Sequence, residues 1–197
     1  MQTAPATLLL ILTPYLTARS LFTFEALCLA VFAVLAHWFS FGHNSLMDTA
    51  MGYDLKDPNK AHHPLVAGRI SLHVAHNVIH WGLCLVSIFA IALTFLLSPN
   101  PALALVAVIL WIVFGYSYNS GLAKESVFGF IPISVCFTAM GAWGWLLSHS
   151  GLDLTGWLYL AYTFATILFQ ISWSGHLKEM EVGERSNILI KMGAKVK

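Results

Sequence analysis

Charge is what this sequence has least of. Only 10% of its 197 residues are Asp, Glu, Lys or Arg, where a soluble domain carries about 25%. The deficit is concentrated. No charged residue occurs in 70–123, nor in 1–18, 26–47, 126–152 or 154–177. A helix crosses the hydrocarbon of a bilayer with about 20 apolar residues. Runs of this kind exclude a soluble fold with one greasy core and imply an integral membrane protein.

Cysteine is scarce too. Cys28, Cys84 and Cys136 are spread along apolar segments, which excludes a disulfide framework or a cysteine metal cluster and leaves them as small core residues. No basic residue precedes the first apolar stretch, so it does not read as a secretory signal. The net charge of +1 offers nothing to nucleic acid. No internal repeat or low-complexity tract divides the chain, and a single all-α transmembrane domain over 1–197 is expected.

What is present is a set of apolar segments at about 6–18, 23–47, 70–97, 101–119, 127–148 and 155–176. These predict about six helices, the first short and interrupted by Pro14. The tracts SPNP (98–101) and SHSGLD (148–153) are turns. The basic residues fall after even-numbered segments. Lys56, Lys60 and Arg69 follow the second, Lys124 the fourth, and Lys178, Arg185, Lys191, Lys195 and Lys197 the sixth; only Arg19 lies on the other side. Because Lys and Arg mark cytoplasmic loops, these loops and both termini are expected in the cytoplasm, with a site built from several loops on that face.

Residues 44–69, NSLMDTAMGYDLKDPNKAHHPLVAGR, hold much of the polar chemistry. Asn44 and Asp48 are four residues apart, on one face of a helix end. Asp54 and Asp57 follow before Pro58. Grouped oxygen ligands suit a hard cation such as Mg²⁺, which completes its shell with phosphate. Lys56, Lys60 and Arg69 can meet the phosphate charge. A solvated loop of mixed charge would look the same at Asp57 and Lys60. Asp48 differs, since an ionisable group at membrane depth is costly and generally functional. The tract HLKEMEVGERSN (176–187) repeats the theme with Glu179, Glu181 and Glu184 beside Lys178 and Arg185. Tyr116 and Tyr118 end the fourth segment, ahead of Lys124.

Three motifs in order carry a resemblance. Asn44-x₃-Asp48-x₃-Gly52-x-Asp54, followed by His63-Pro64-Leu65-x₂-Gly68-Arg69, resembles the first acidic motif of the UbiA superfamily of intramembrane prenyltransferases. Its spacing is most similar to members that prenylate dihydroxynaphthoate. Tyr116-Ser117 with Lys124 resembles the family's tyrosine–lysine loop. Leu177-Lys178-Glu179-Met180-Glu181 with Glu184 resembles its second acidic motif. The resemblance implies a helical bundle around a central apolar cavity open to the cytoplasm. It implies Mg²⁺ held by Asn44, Asp48, Asp54, Glu179, Glu181 and Glu184. It also implies a prenyl diphosphate gripped by Asn44, Lys56, Lys60, His63, Arg69, Tyr116, Lys178 and Arg185, with Asp48, Asp54 and Lys124 as catalytic residues. The expected reaction moves the prenyl group to an aromatic or other lipophilic acceptor.

The sequence departs from that pattern. Ser45 stands where the family has Asp, His63 where it has Arg, and His176 where it has Asn or Asp; the second motif uses Glu in place of Asp. The last of the family's usual spans are not in the chain, so it is expected to be either a truncated or unusually short homologue or one whose bundle a second chain or oligomer completes. Three other readings compete. One is a UbiA-type terpene cyclase, which shares the ionisation step. Another is a non-catalytic scaffold or transporter using intramembrane Asp and His. The last is a metal or haem oxidoreductase, prompted by nine His, with His73, His76 and His80 on one helix face beside Asn77. That stripe lacks the HxxHH clusters of membrane di-iron enzymes and is expected to face the bundle interior or the cavity mouth.

Overall fold

The computed structural model describes residues 4–20, 22–120 and 130–170. They form an all-α bundle with no strand among them: α1 (Ala4–Leu16), α2 (Phe24–Ala50), α3 (Leu72–Leu97), α4 (Pro101–Asn119), α5 (Phe130–Leu146) and α6 (Leu154–Phe169). Only α2, α3 and α4 combine the length and apolarity to cross a membrane unaided; α1, α5 and α6 are shorter apolar helices. The helix starts follow from local chemistry. Thr23, Ser71, Asn100 and Asp153 each accept a backbone N–H from the first turn of α2, α3, α4 and α6, satisfying donors that a helix leaves open. Pro101 follows Asn100 at a position where no N–H is needed.

Packing makes a ring. Helix α2 contacts α1, α3 and α4, while α5 contacts α1, α4 and α6. With α3 against α4 the ring α1–α2–α3–α4–α5 closes, and α6 leans on α5 from outside. Gly144 sets one closure. A Cβ there would lie 2.6 Å from the Ile11 carbonyl oxygen, so only glycine lets α5 approach α1 this closely. Below the cavity described next, the fully buried Phe32 meets Phe89, Trp111 and Trp143 at centroid distances of 5.8, 5.8 and 4.8 Å. Trp143 Nε1 donates to Thr94 Oγ1 at 2.8 Å, which satisfies both groups in a dry interior. On α3, Val74, Val78, Trp81, Leu85 and Ile88 form an exposed apolar stripe at helical spacing, the surface a helix presents to lipid.

Candidate active site

The end of α2 is built by one glycine. Asn44 and Asp48 stack on one face, and Asn44 Nδ2 donates to Asp48 Oδ2 at 2.8 Å. The helix then stops in a Schellman turn. Gly52 has φ +80°, its N–H donates to the Thr49 carbonyl at 3.0 Å, and the Tyr53 N–H donates to the Asp48 carbonyl at 2.9 Å. Such a turn requires a left-handed residue, for which glycine has no Cβ penalty. The reversal carries the chain into a 3₁₀ turn, Asp54–Lys56, that packs against α2. Both carboxylates are buried, Asp48 at 6% exposure and Asp54 at 5%. Lys60 Nζ lies 3.3 Å from each Asp54 oxygen.

Asp57 has a different task. Its Oδ1 accepts from the Asn59 backbone N–H at 2.9 Å and from Asn59 Nδ2 at 3.0 Å, capping the second 3₁₀ turn, Pro58–Lys60. Of the two roles the sequence left open for Asp57, cation ligand or ordinary loop residue, these bonds support the second, since an Asp just before Pro serves the turn itself. A second Schellman turn follows: the Gly68 N–H donates to Leu65 O and the Arg69 N–H to Pro64 O, with φ +67° at Gly68. It holds His63, whose Nδ1 is buried with no hydrogen-bond partner among the described residues. The exposed Arg69 donates from its guanidinium to the His62 carbonyl, and Lys56 is exposed.

A cavity of about 360 Å³ runs between the helices. Its polar end is lined by His43 and Asn44 of α2, Tyr116, Tyr118 and Asn119 of α4, and Gln170 just beyond α6. Asp48 lies one turn past Asn44. Asn119 Nδ2 donates to the Ser40 carbonyl at 3.1 Å and ties α4 to α2 there. Tyr116 stacks on His43 at 5.2 Å. Deeper walls are apolar, including Trp111, Ile112, Phe137 and Met140.

Asn44 and Asp48 are thus paired on α2 and Asp54 and Lys60 in the turns that follow it, with Tyr116 lining the same end of the cavity as Asn44. His63, Arg69 and Lys56 occupy the loop beyond. Lys124, Lys178, Glu179, Glu181, Glu184, Arg185 and His176 lie outside the described residues. Among the described residues no group of three or more His, Cys, Asp or Glu is placed to hold a metal ion. The donor chemistry at Asp48 and Asp54 nonetheless fits Mg²⁺, which takes one or two carboxylates and draws its other ligands from phosphate and water. Of the two placements expected for the histidine stripe of α3, the bundle interior does not hold for His73, His76 and Asn77, which are exposed. His80 alone turns toward the cavity, edge-on to His43 at 5.3 Å and stacked on His76 at 3.9 Å. The sequence reading missed His37, His43 and Thr7 as cavity residues. His37 and Thr7 sit 30 residues apart on different helices, a proximity no local pattern encodes.

No curated protein and no solved structure matches the chain. The model of one family, the UbiA prenyltransferase family, matches residues 5–188. With a match over most of its length and an apolar helical bundle around a cavity, the chain belongs to the UbiA prenyltransferase family.

Proposed function

We propose that the protein transfers a prenyl group from an isoprenoid diphosphate to an aromatic or other lipophilic acceptor, with Mg²⁺, inside the membrane. The observation that carries this reading is the buried carboxylate of Asp48, one turn past the Asn44 that lines the polar end of the cavity, with the buried, Lys60-paired Asp54 in the turn packed against the same helix. A charged diphosphate and a greasy tail need that juxtaposition. Asp48 and Asp54 hold the cation, and Asn44 fixes the rotamer of Asp48 by its amide hydrogen bond. Mg²⁺, when bound, supplies positive charge opposite the leaving diphosphate.

The chain's own groups do the rest. Lys60 neutralises Asp54 in the free protein and can swing its ammonium to a phosphate oxygen. The orphaned His63 Nδ1 gains a partner if diphosphate oxygens reach the loop. Lys56, Arg69 and Tyr116 add donors around the same anion, and Lys124, Lys178 and Arg185 are assigned to it from sequence. Glu179, Glu181 and Glu184 are assigned to a second metal-binding loop on the same ground. The allylic C–O bond breaks, its electron pair leaves with the diphosphate, and an electron-rich acceptor carbon attacks and then loses a proton. The apolar deeper walls, Trp111, Ile112, Phe137 and Met140, give water few partners beside the carbon that must not be captured by it.

The test is incubation of the protein in lipid with geranyl diphosphate, naphthol as the aromatic acceptor and Mg²⁺, following diphosphate release and prenylated product. Release that stops with EDTA and resumes with added Mg²⁺ is expected. No release at any Mg²⁺ concentration would overturn the reading, and release with only cyclised hydrocarbon would convert it to a cyclase.

A further inference from the structure

One polar group in the cavity stands apart from the diphosphate chemistry. His37 sits at the centre of α2, 13 residues from each end of the Phe24–Ala50 helix. It is 8% exposed and lines the cavity. An ionisable side chain at that depth is costly in a membrane and generally has a task. Its Nδ1 lies 3.3 Å from the hydroxyl of Thr7, itself 2% exposed, on α1. Its ring packs on Phe41 at 4.3 Å. Both contacts fix the imidazole plane. The remaining nitrogen, Nε2, has no hydrogen-bond partner among the described residues; the cavity walls nearby are largely apolar, with Ala36, Cys136 and Met140, and their polar groups are the indole of Trp111 and the hydroxyls of Ser40 and Ser87.

His37 shares a helix face with Asn44, seven residues on, and so lies about 10 Å deeper along the cavity. That separation accommodates a mono- or bicyclic ring between the imidazole and the carbon released from diphosphate. We propose that His37, held by Thr7, recognises an oxygen substituent, a hydroxyl or ring carbonyl, on the aromatic acceptor and thereby sets which acceptor enters. The assignment rests on the prenyltransferase reading above. His37 acts by hydrogen bonding in a largely apolar part of the cavity. A ligand lacking the oxygen leaves Nε2 unsatisfied, which is the basis of strong discrimination in such sites.

The experiment compares naphthol with methylnaphthalene, in which a methyl group replaces the hydroxyl. Binding is measured by titration calorimetry on protein in lipid nanodiscs, for wild type, His37→Phe and Thr7→Val. Diphosphate release from geranyl diphosphate is followed in the same preparations. Wild type should prefer naphthol by about tenfold, the scale of one buried hydrogen bond. His37→Phe should erase that preference while the KM for geranyl diphosphate stays put. Thr7→Val keeps the imidazole but frees its plane, and should reduce the preference. A wild type that binds both ligands equally would overturn the proposal. So would a preference unchanged in folded His37→Phe or, should that variant not fold, in Thr7→Val. Absence of diphosphate release in wild type is the separate result that sinks the prenyltransferase reading.

Discussion

Two aspartates nine residues apart illustrate how differently one residue type is used in this loop. Asp48 has its side chain oriented by Asn44 and its backbone carbonyl in the turn that ends α2. Asp57 closes a short turn on Asn59. Replacing each should therefore read out differently. Asp48→Asn keeps the volume but removes the charge that meets the cation, and diphosphate release should fall by about a hundredfold or more. Asp57→Ala loses a cap, costing about 1 kcal/mol of stability, and should lower the melting temperature in detergent while release stays measurable. The checks are steady-state diphosphate release and thermal unfolding of both variants. Normal release in Asp48→Asn would remove Asp48 from the site. At this scale the sequence was half legible. Asp48 is marked by depth and by the Asn44 spacing. Asp57 was ambiguous in sequence between a ligand and a loop residue, and its bonds to Asn59, two residues away, show the turn it serves. The Thr7–His37 pair could not be read at all, since it joins separate helices.

Between residue and bundle stands the glycine turn. Gly52 is what lets a helix-borne carboxylate, Asp48, and a loop-borne one, Asp54, approach the same region. A Cβ at Gly52 would meet nothing within 4 Å, so its cost is conformational alone: φ there is +80°. Gly52→Ala should lose about 1–2 kcal/mol, the usual penalty for an L-residue in the left-handed region. More tellingly, a relaxed turn would part Asp54 from Asp48, so the Mg²⁺ concentration for half-maximal diphosphate release should rise. Gly151→Ala is the matched control, since Gly151 also has open space around it and has no positive φ. Equal Mg²⁺ dependence in both variants would show that the turn does not organise the acids. The helices themselves were legible from their uncharged apolar runs, within a few residues of the ends observed, while the expected end of the sixth at 176 lies outside the described residues; their caps, Thr23, Ser71, Asn100 and Asp153, were not read in advance. The two Schellman turns were visible only as Gly52 and Gly68 in a motif, without their bonding.

Across the whole molecule the two ends of the bundle differ in kind. The polar end of the cavity gathers the last residues of α4 and the end of α6, beside Asn44 near the end of α2. Every Lys and Arg except Arg19 follows one of these three helices in the chain. The opposite end is knit by turns without Lys or Arg: Ser98 Oγ donates to the Leu146 carbonyl at 2.6 Å, and Asn100 Nδ2 donates to the Ser150 carbonyl at 3.2 Å. These bonds satisfy backbone groups near the close of α5 and bring the α3–α4 and α5–α6 turns side by side. Positive charge is retained on the cytoplasmic side during insertion, so the acidic loop with its Lys and Arg should face the cytoplasm and these two turns the outside. In a background with Cys28, Cys84 and Cys136 replaced by Ser, the single changes Lys60→Cys, Pro99→Cys and Ser150→Cys separate the alternatives. An impermeant maleimide added to intact cells should label positions 99 and 150 and reach position 60 only after permeabilisation. Ready labelling at 60 from outside would invert the topology and place the candidate diphosphate site on the wrong face for a substrate made in the cytoplasm.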